Sequence, residues 1–195
     1  MRQNLTQRGK DRKRQIVERA ADLFAEQGYD ATSVADIVES LGVGKGVFYW
    51  YFSSKDELLL ELLRVSHHDL RRRQQLAIEQ EDDPVRRVEV GIRTSMQWFL
   101  EHRKYFSLFQ FAANSERFNR VLRAGNDVAN SDAVRHVKDA IGDGYLADYD
   151  TEMVAYAVMG VIDSLTRAYI LDRPEDAERA ADAAVAFCLK GLVGA

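Results

Sequence analysis

Apolar residues recur along most of this chain with the period of a helix. Between Arg14 and Gly28, Ile16, Val17, Ala20, Leu23 and Phe24 fall on one face, and Gly28 stands where a glycine ends a helix. Ser33-Val34-Ala35-Asp36 then reads as a capping box. It opens a short helix with Val34, Ile37, Val38 and Leu41 on one side, closed by Gly42. A further short helix begins near Gly44, so residues 33–52 predict helix, glycine turn, helix.

That last helix holds five consecutive aromatics, Phe48, Tyr49, Trp50, Tyr51 and Phe52. A strand would alternate them between two faces, but a lone strand has nothing to pair with. On a helix Phe48 and Phe52 share the core face at i, i+4, leaving Lys45, Val47, Tyr49 and Trp50 exposed. Exposed Tyr and Trp on one face call for a partner. Ser53 or Ser54 then caps a long helix carrying Asp56 and Glu57 in its first turn, with a Leu stripe reaching to about residue 79. Beyond it the pattern predicts helices near 84–102, 104–113, 115–140, 151–171 and 175–192, with a loop at 142–150. The fold class is all-α.

Composition narrows the class. The chain has 195 residues, 46% apolar and 30% charged, with two prolines and one cysteine, Cys188. An internal disulfide and a cysteine-rich zinc site are excluded. The basic start is followed by no apolar h-region, and the longest apolar run is too short for a membrane span, so a cytoplasmic protein without a membrane partner is expected. Net charge is −4, yet residues 1–14 alone carry +5 and leave −9 for the rest. A basic arm on an acidic body restores nucleic acid as a partner that the net charge argues against; a solvated tail accounts for the charge equally well.

Residues 12–63 resemble the TetR family of bacterial transcriptional regulators. The resemblance rests on Ala20, Phe24, Gly28, Tyr29, Ser33, Gly42, Val43, Lys45, Gly46, Tyr49, Phe52, Ser54 and Lys55, in register over about a quarter of the chain. Gly44, Val47 and Val38 depart from the family pattern, which bears on the operator sequence more than on DNA binding. The resemblance implies an N-terminal three-helix helix-turn-helix DNA-binding domain, with its basic arm, at 1–54. A helical effector-binding and dimerisation domain follows at 55–195. On this reading Ser33 holds a phosphate with its hydroxyl and helix-terminal N–H groups, and Lys45 reaches a base edge or phosphate. Tyr49 and Trp50 pack on the sugar-phosphate wall, Val47 meets a thymine methyl, and Lys55 contacts phosphate. Gly46 belongs to the same recognition helix, and Arg14 to the salt-sensitive arm.

The resemblance also implies a homodimer built by the last two helices, with Val158, Ile162, Leu165, Ala181, Val185, Cys188 and Leu189 at the interface, and a palindromic operator in double-stranded DNA. It places an effector pocket among the middle helices, where Trp98, Phe99, Phe106, Phe109 and Phe118 cluster; the lack of charge within that stripe favours an apolar effector. An aromatic stripe is also what plain core looks like. His67 and His68 are adjacent and cannot chelate together, so no metal is expected; no cofactor fingerprint or nucleophile motif occurs, so no enzyme is expected either. Two rivals to a ligand-released repressor stay open. One is an effector-less architectural DNA binder, the other a helical lipid carrier or enzyme that keeps the N-terminal fold.

Overall fold

The computed structural model describes residues 5–142 and 150–192. The elements are α1 (Gln7–Gln27), α2 (Val34–Ser40), α3 (Lys45–Tyr51), α4 (Lys55–Ile78), α5 (Pro84–Glu101), α6 (Arg103–Ala113), α7 (Asn119–Gly142), α8 (Thr151–Leu165) and α9 (Ala177–Leu192). No strand occurs among the described residues. The predicted loop at 142–150 falls mostly outside them, as does Arg2.

Local chemistry sets the boundaries. The Thr6 hydroxyl accepts the Gly9 N–H (3.3 Å) and starts α1 two turns before the sequence pattern does. The expected arm is therefore helix from Gln7 onward, with Arg8, Lys10, Arg12, Lys13 and Arg14 on its surface. Lys13 pairs with Glu61, and Arg14 lies 3.6 Å from Asp11 and 3.8 Å from Glu18. The apolar period could not find this start because the first two turns bury little. Gly28 ends α1 at φ 90°, a conformation that excludes an ordinary side chain. Ser33 and Asp36 form the expected capping box on α2. Asp83 caps α5 with Pro84 in its first turn, and Asp150 caps α8 through the Glu152 and Met153 N–H groups.

Two predicted helices have different bounds. The one expected from 115 begins at Asn119, after a turn in which the Phe118 N–H reaches the Ser115 carbonyl. The one expected over 151–171 is α-helical only to Leu165 and widens to a π-helix over Thr166–Leu171. A 3₁₀ turn at Pro174–Asp176 leads into α9.

The chain packs as two compact units. The first holds residues up to Ser66 and Lys104–Leu122: α1 to α3, the first half of α4, α6 and the start of α7. Its core joins Ile16, Ala20 and Phe24 of α1 to Ile37, Phe48 and Phe52, and to the Leu58, Leu59, Leu62 and Leu63 stripe, all at most 3% exposed. The second holds His67–Arg103 and the residues from Arg123 on. Its core gathers Val88, Ile92 and Met96 of α5, Val137 of α7, Val154, Val158 and Ile162 of α8, and Ala184, Val185 and Cys188 of α9. This partition by packing cuts α4 at 66/67, inside the helix, because the Leu stripe of α4 closes the helix-turn-helix core. No helix among the described residues is long and apolar enough to cross a membrane.

Candidate nucleic-acid interface and effector cavity

Four of the five aromatics lie on α3 and Phe52 is its extended C-cap, and they divide between core and surface as the helical reading requires. Phe48 and Phe52 are 0% and 2% exposed with ring centroids 5.7 Å apart, whereas Tyr49 and Trp50 are 56% and 55% exposed. Phe48 also meets the Tyr49 ring edge-on at 5.3 Å, which holds the base of Tyr49 against the core while most of the side chain stays exposed. Lys45 and Gly46 are exposed at the start of α3, and Val47 is half-buried. A Cβ added at Gly44 or Gly46 meets nothing within 4 Å, so this end of the helix is open. Gly42 takes φ 65° in the turn between α2 and α3, which lets α3 follow within three residues. Tyr49, Trp50, Lys45 and Gly46 thus form one exposed surface on a short helix whose opposite face is locked in the core.

Two of the expected phosphate contacts are used internally. Lys55 directs its ammonium at the Tyr29 and Thr32 carbonyls (both 2.7 Å) and at the Asp30 carbonyl (3.5 Å), and sits 4.2 Å over the Tyr29 ring. An ammonium has three N–H groups, and three carbonyls take them. Lys55 therefore clamps the α1–α2 loop, a role that sequence spacing does not show. At Ser33 the backbone N–H donates to the Asp36 carboxylate (2.7 Å), while the hydroxyl accepts the Asp36 N–H (3.2 Å). These hydrogen bonds hold the Asp36 carboxyl below its ordinary pKa. The carboxylate takes the place that the sequence reading leaves open to phosphate; the Ser33 hydroxyl keeps its own proton to donate. Arg14 is exposed with loose acidic neighbours and remains available.

Sequence reasoning missed the girdle behind this domain. Tyr29 donates to Asp56, which also pairs with Arg117, and the Tyr29 ring packs against Phe111 (5.1 Å) and Phe118 (5.4 Å). Burial, followed by the Asp56 hydrogen bond, pushes the Tyr29 phenol well above its ordinary pKa, so it stays protonated as a donor. Lys104 adds an ion pair to Asp22 (2.6 Å).

The expected effector cluster is divided between the two units, and of its members Trp98 lines a surface groove of the second unit with Arg73, Met96 and Leu100. Phe106, Phe109 and Phe118 are core of the first unit. Trp98 and Phe99 belong to the second, where buried Trp98 donates to Asp69 (2.8 Å), stacks on His102 (4.5 Å) and meets the edge of Phe99 (5.3 Å). A cavity of about 70 Å³ lies among α4, α5, α7 and α8 of the second unit. Ile78, Val88, Ile92, Val137, Val158, Met159 and Ile162 form its apolar wall. Gln74 and Ser95 are joined at 2.7 Å on it, and Arg71 grips Asp132 at 2.5 and 3.3 Å. Arg87 and His136 complete it. The cavity opens beside Gly91 and among small alanines of α7, a signal that a search for aromatics passes over.

The expected dimer residues contribute to the protomer's own core, and Val158 and Cys188 also line a surface groove of α8 and α9. Val158, Ile162, Val185 and Cys188 are buried in the protomer's own core, and Leu165, Ala181 and Leu189 pack against it. Burial raises the Cys188 thiol to about 11. The exposed apolar side of α8 and α9 carries Met153, Tyr156 and Phe187, 73%, 56% and 71% exposed, beside a groove that includes Ala157, Val161 and Ala186. Helical period alone picks out the aliphatic residues and not Met153, Tyr156 and Phe187. No cluster of three or more His, Cys, Asp or Glu able to hold a metal ion occurs among the described residues.

Residues 16–62 match the family model described as bacterial regulatory proteins, tetR family. The HTH-type transcriptional regulator TtgR of Pseudomonas putida is 31% identical over 177 residues, covering 80% of this chain and 79% of that protein. This chain belongs to the TetR family. Among solved structures, the ketosteroid transcriptional regulator KstR2 of Mycobacterium tuberculosis is 26% identical with a TM-score of 0.75, covering 94% of this chain and 96% of that one. The fatty acid degradation regulator FadR from Bacillus halodurans superposes at a TM-score of 0.85 over 92% of this chain and 95% of that one; at 16% identity it shows the fold alone. The chain is therefore a helix-turn-helix transcriptional regulator, and the motif over 12–63 suffices to name its family.

Proposed function

We propose that this TetR-family regulator binds a palindromic operator as a homodimer, represses transcription there, and is released by a small molecule. The observation that carries the DNA part is α3, with Phe48 and Phe52 buried while Lys45, Tyr49 and Trp50 stand exposed together. Residues 1–54 read DNA and 55–195 receive the effector and dimerise. Lys45 reaches base edges or phosphate, Tyr49 and Trp50 pack on the backbone wall, the half-buried Val47 meets a thymine methyl, and Arg14 with the basic face of α1 supplies phosphate attraction. Ser33 contributes its hydroxyl. Lys55 acts by fixing the loop behind α2.

The dimer forms through the exposed stripe of Met153, Tyr156 and Phe187, whose area on two adjacent helices is more than isolated apolar side chains explain. The effector occupies the cavity among α4, α5, α7 and α8. Its binding favours a dimer whose recognition helices no longer fit both half-sites, and operator affinity falls by the coupling free energy.

Selection of genomic DNA fragments on the purified protein at near-physiological salt tests this reading. A recovered palindrome is expected. Diffuse enrichment that vanishes with added salt would leave charge-driven binding alone and favour the architectural reading.

A further inference from the structure

The cavity of the second unit is not uniformly apolar, and its two cations are not equivalent. Arg71 is neutralised where it stands: it grips Asp132 through two N–H groups. Arg87 has no such partner. Its Nε donates to the neutral Glu81 carbonyl (2.7 Å), the Glu81 carboxylate itself pairs with Arg86 (3.6 Å), and no ion pair of Arg87 occurs among the described residues. The guanidinium thus keeps most of its five N–H donors and a full charge on the cavity wall. Beside it on the same wall is His136, whose Nδ1 is buried without a hydrogen-bond partner. Burial, and then the Arg135 and Arg87 charges, hold His136 below its ordinary pKa, which favours the neutral imidazole; the tautomer protonated at Nδ1 donates from there. The rest of the wall is largely hydrocarbon, with Ile92, Val137, Val158 and Ile162. A buried donor without a partner is costly, as is a half-buried cation without an anion. Both costs vanish for a ligand with an anionic, planar, two-oxygen head and an apolar body.

We infer that the effector is a small amphipathic carboxylic acid, its carboxylate held by Arg87 and His136 and its hydrocarbon against Ile92, Val137, Val158 and Ile162. This deepens the reading of the cavity as the effector site and rests on it. It adds a charged head to the apolar effector expected from the aromatic stripe. The volume sets the size: a dry cavity of about 150 Å³ admits benzene, so about 70 Å³ takes a tail of only a few carbons before side chains must move.

Calorimetric titration of the full-length protein with acetate, propanoate, butanoate and hexanoate, and with the primary alcohols of the same lengths, tests the assignment. Each acid is expected to bind at least tenfold tighter than its alcohol. Affinity should rise about fourfold per methylene over the carbons the cavity accepts, from ~0.8 kcal/mol per buried CH₂, and then level off. Arg87→Gln should erase the preference for acid while leaving alcohol binding, which also reports an intact cavity. Alcohols binding as tightly as acids, an acid preference that survives in Arg87→Gln, affinity indifferent to chain length, or no binding at all would each overturn the proposal. The readout involves no DNA. A protein that binds these acids but selects no operator would therefore break the regulator reading and leave the ligand class standing.

Discussion

The two compact units solve the same folding problem to different degrees of completion. In the first, buried polar groups are spent: the Thr32 hydroxyl donates to the Gly28 carbonyl (2.8 Å), Lys55 closes the loop behind α2, Tyr29 reaches Asp56, and Ser33 and Asp36 cap α2. In the second, Asn130 Oδ1, His136 Nδ1 and Thr166 Oγ1 are buried without hydrogen-bond partners, α8 widens into a π-helix, and a cavity stays open beside Gly91. Unsatisfied groups, π-bulged helices and voids each cost stability, and they gather at functional sites. A unit that must hold a recognition helix rigidly benefits from a closed core. On the proposed function, the second unit receives a ligand and changes with it, and needs groups left over for that ligand.

The largest test of the closed core is Phe48→Ala. Truncating this fully buried ring should cost about 3–5 kcal/mol, read from chemical denaturation; a loss under about 1 kcal/mol would mean that α3 is not anchored as described. Lys55→Met comes next. It leaves the Tyr29 and Thr32 carbonyls without their charged donor and should cost about 1.5–3 kcal/mol of stability, while the salt dependence of DNA binding keeps its slope. A slope reduced by about one with stability unchanged would return Lys55 to phosphate.

Smaller effects sharpen the second unit. Gly125→Ala would drive a methyl to 2.8 Å from the His67 ring and should destabilise by about 1–3 kcal/mol, seen as a lower melting temperature. Gly91→Ala, by contrast, is expected to stabilise the protein by about 0.5–1 kcal/mol through helix propensity, since the new methyl meets only the Ile78 side chain at 3.4 Å; the same methyl narrows the cavity and should weaken the ligand. Stabilisation together with weakened ligand binding is the signature of stability given up for a site. The smallest expected change returns to the first unit. Gly44→Ser at the uncapped start of α3 fits open space and should add a few tenths of a kcal/mol to the denaturation free energy.

How much of this is legible in the sequence follows the same division. The helix-turn-helix is readable because its signals are local: a capping box at Ser33 and Asp36, a turn glycine at Gly42, and an i, i+4 pair at Phe48 and Phe52. What the sequence does not show depends on distant residues. Lys55 looks like a surface cation until Tyr29 and Thr32 fold over it. Phe106 and Phe118 read alike as pocket or core in the sequence; in the fold both are buried in the first unit. On α8 and α9 both faces are apolar, so period alone cannot say which one the protomer buries for itself; the aliphatic face went inward and Met153, Tyr156 and Phe187 stayed outside. The extra turns of α1 escape the apolar period because charge, a Thr cap and ion pairs build them, not burial.

The central claim is that Tyr49 serves DNA and not the fold. The direct measurement is a paired one: the affinity of wild type and Tyr49→Ala for an operator fragment recovered by selection, alongside their melting temperatures. The account predicts binding weaker by roughly tenfold or more, the loss of about 1–3 kcal/mol expected for a DNA contact, with melting within a degree or two. A variant that melts early yet binds the operator as tightly per folded molecule would contradict it, and would put Tyr49 in the core beside Phe48.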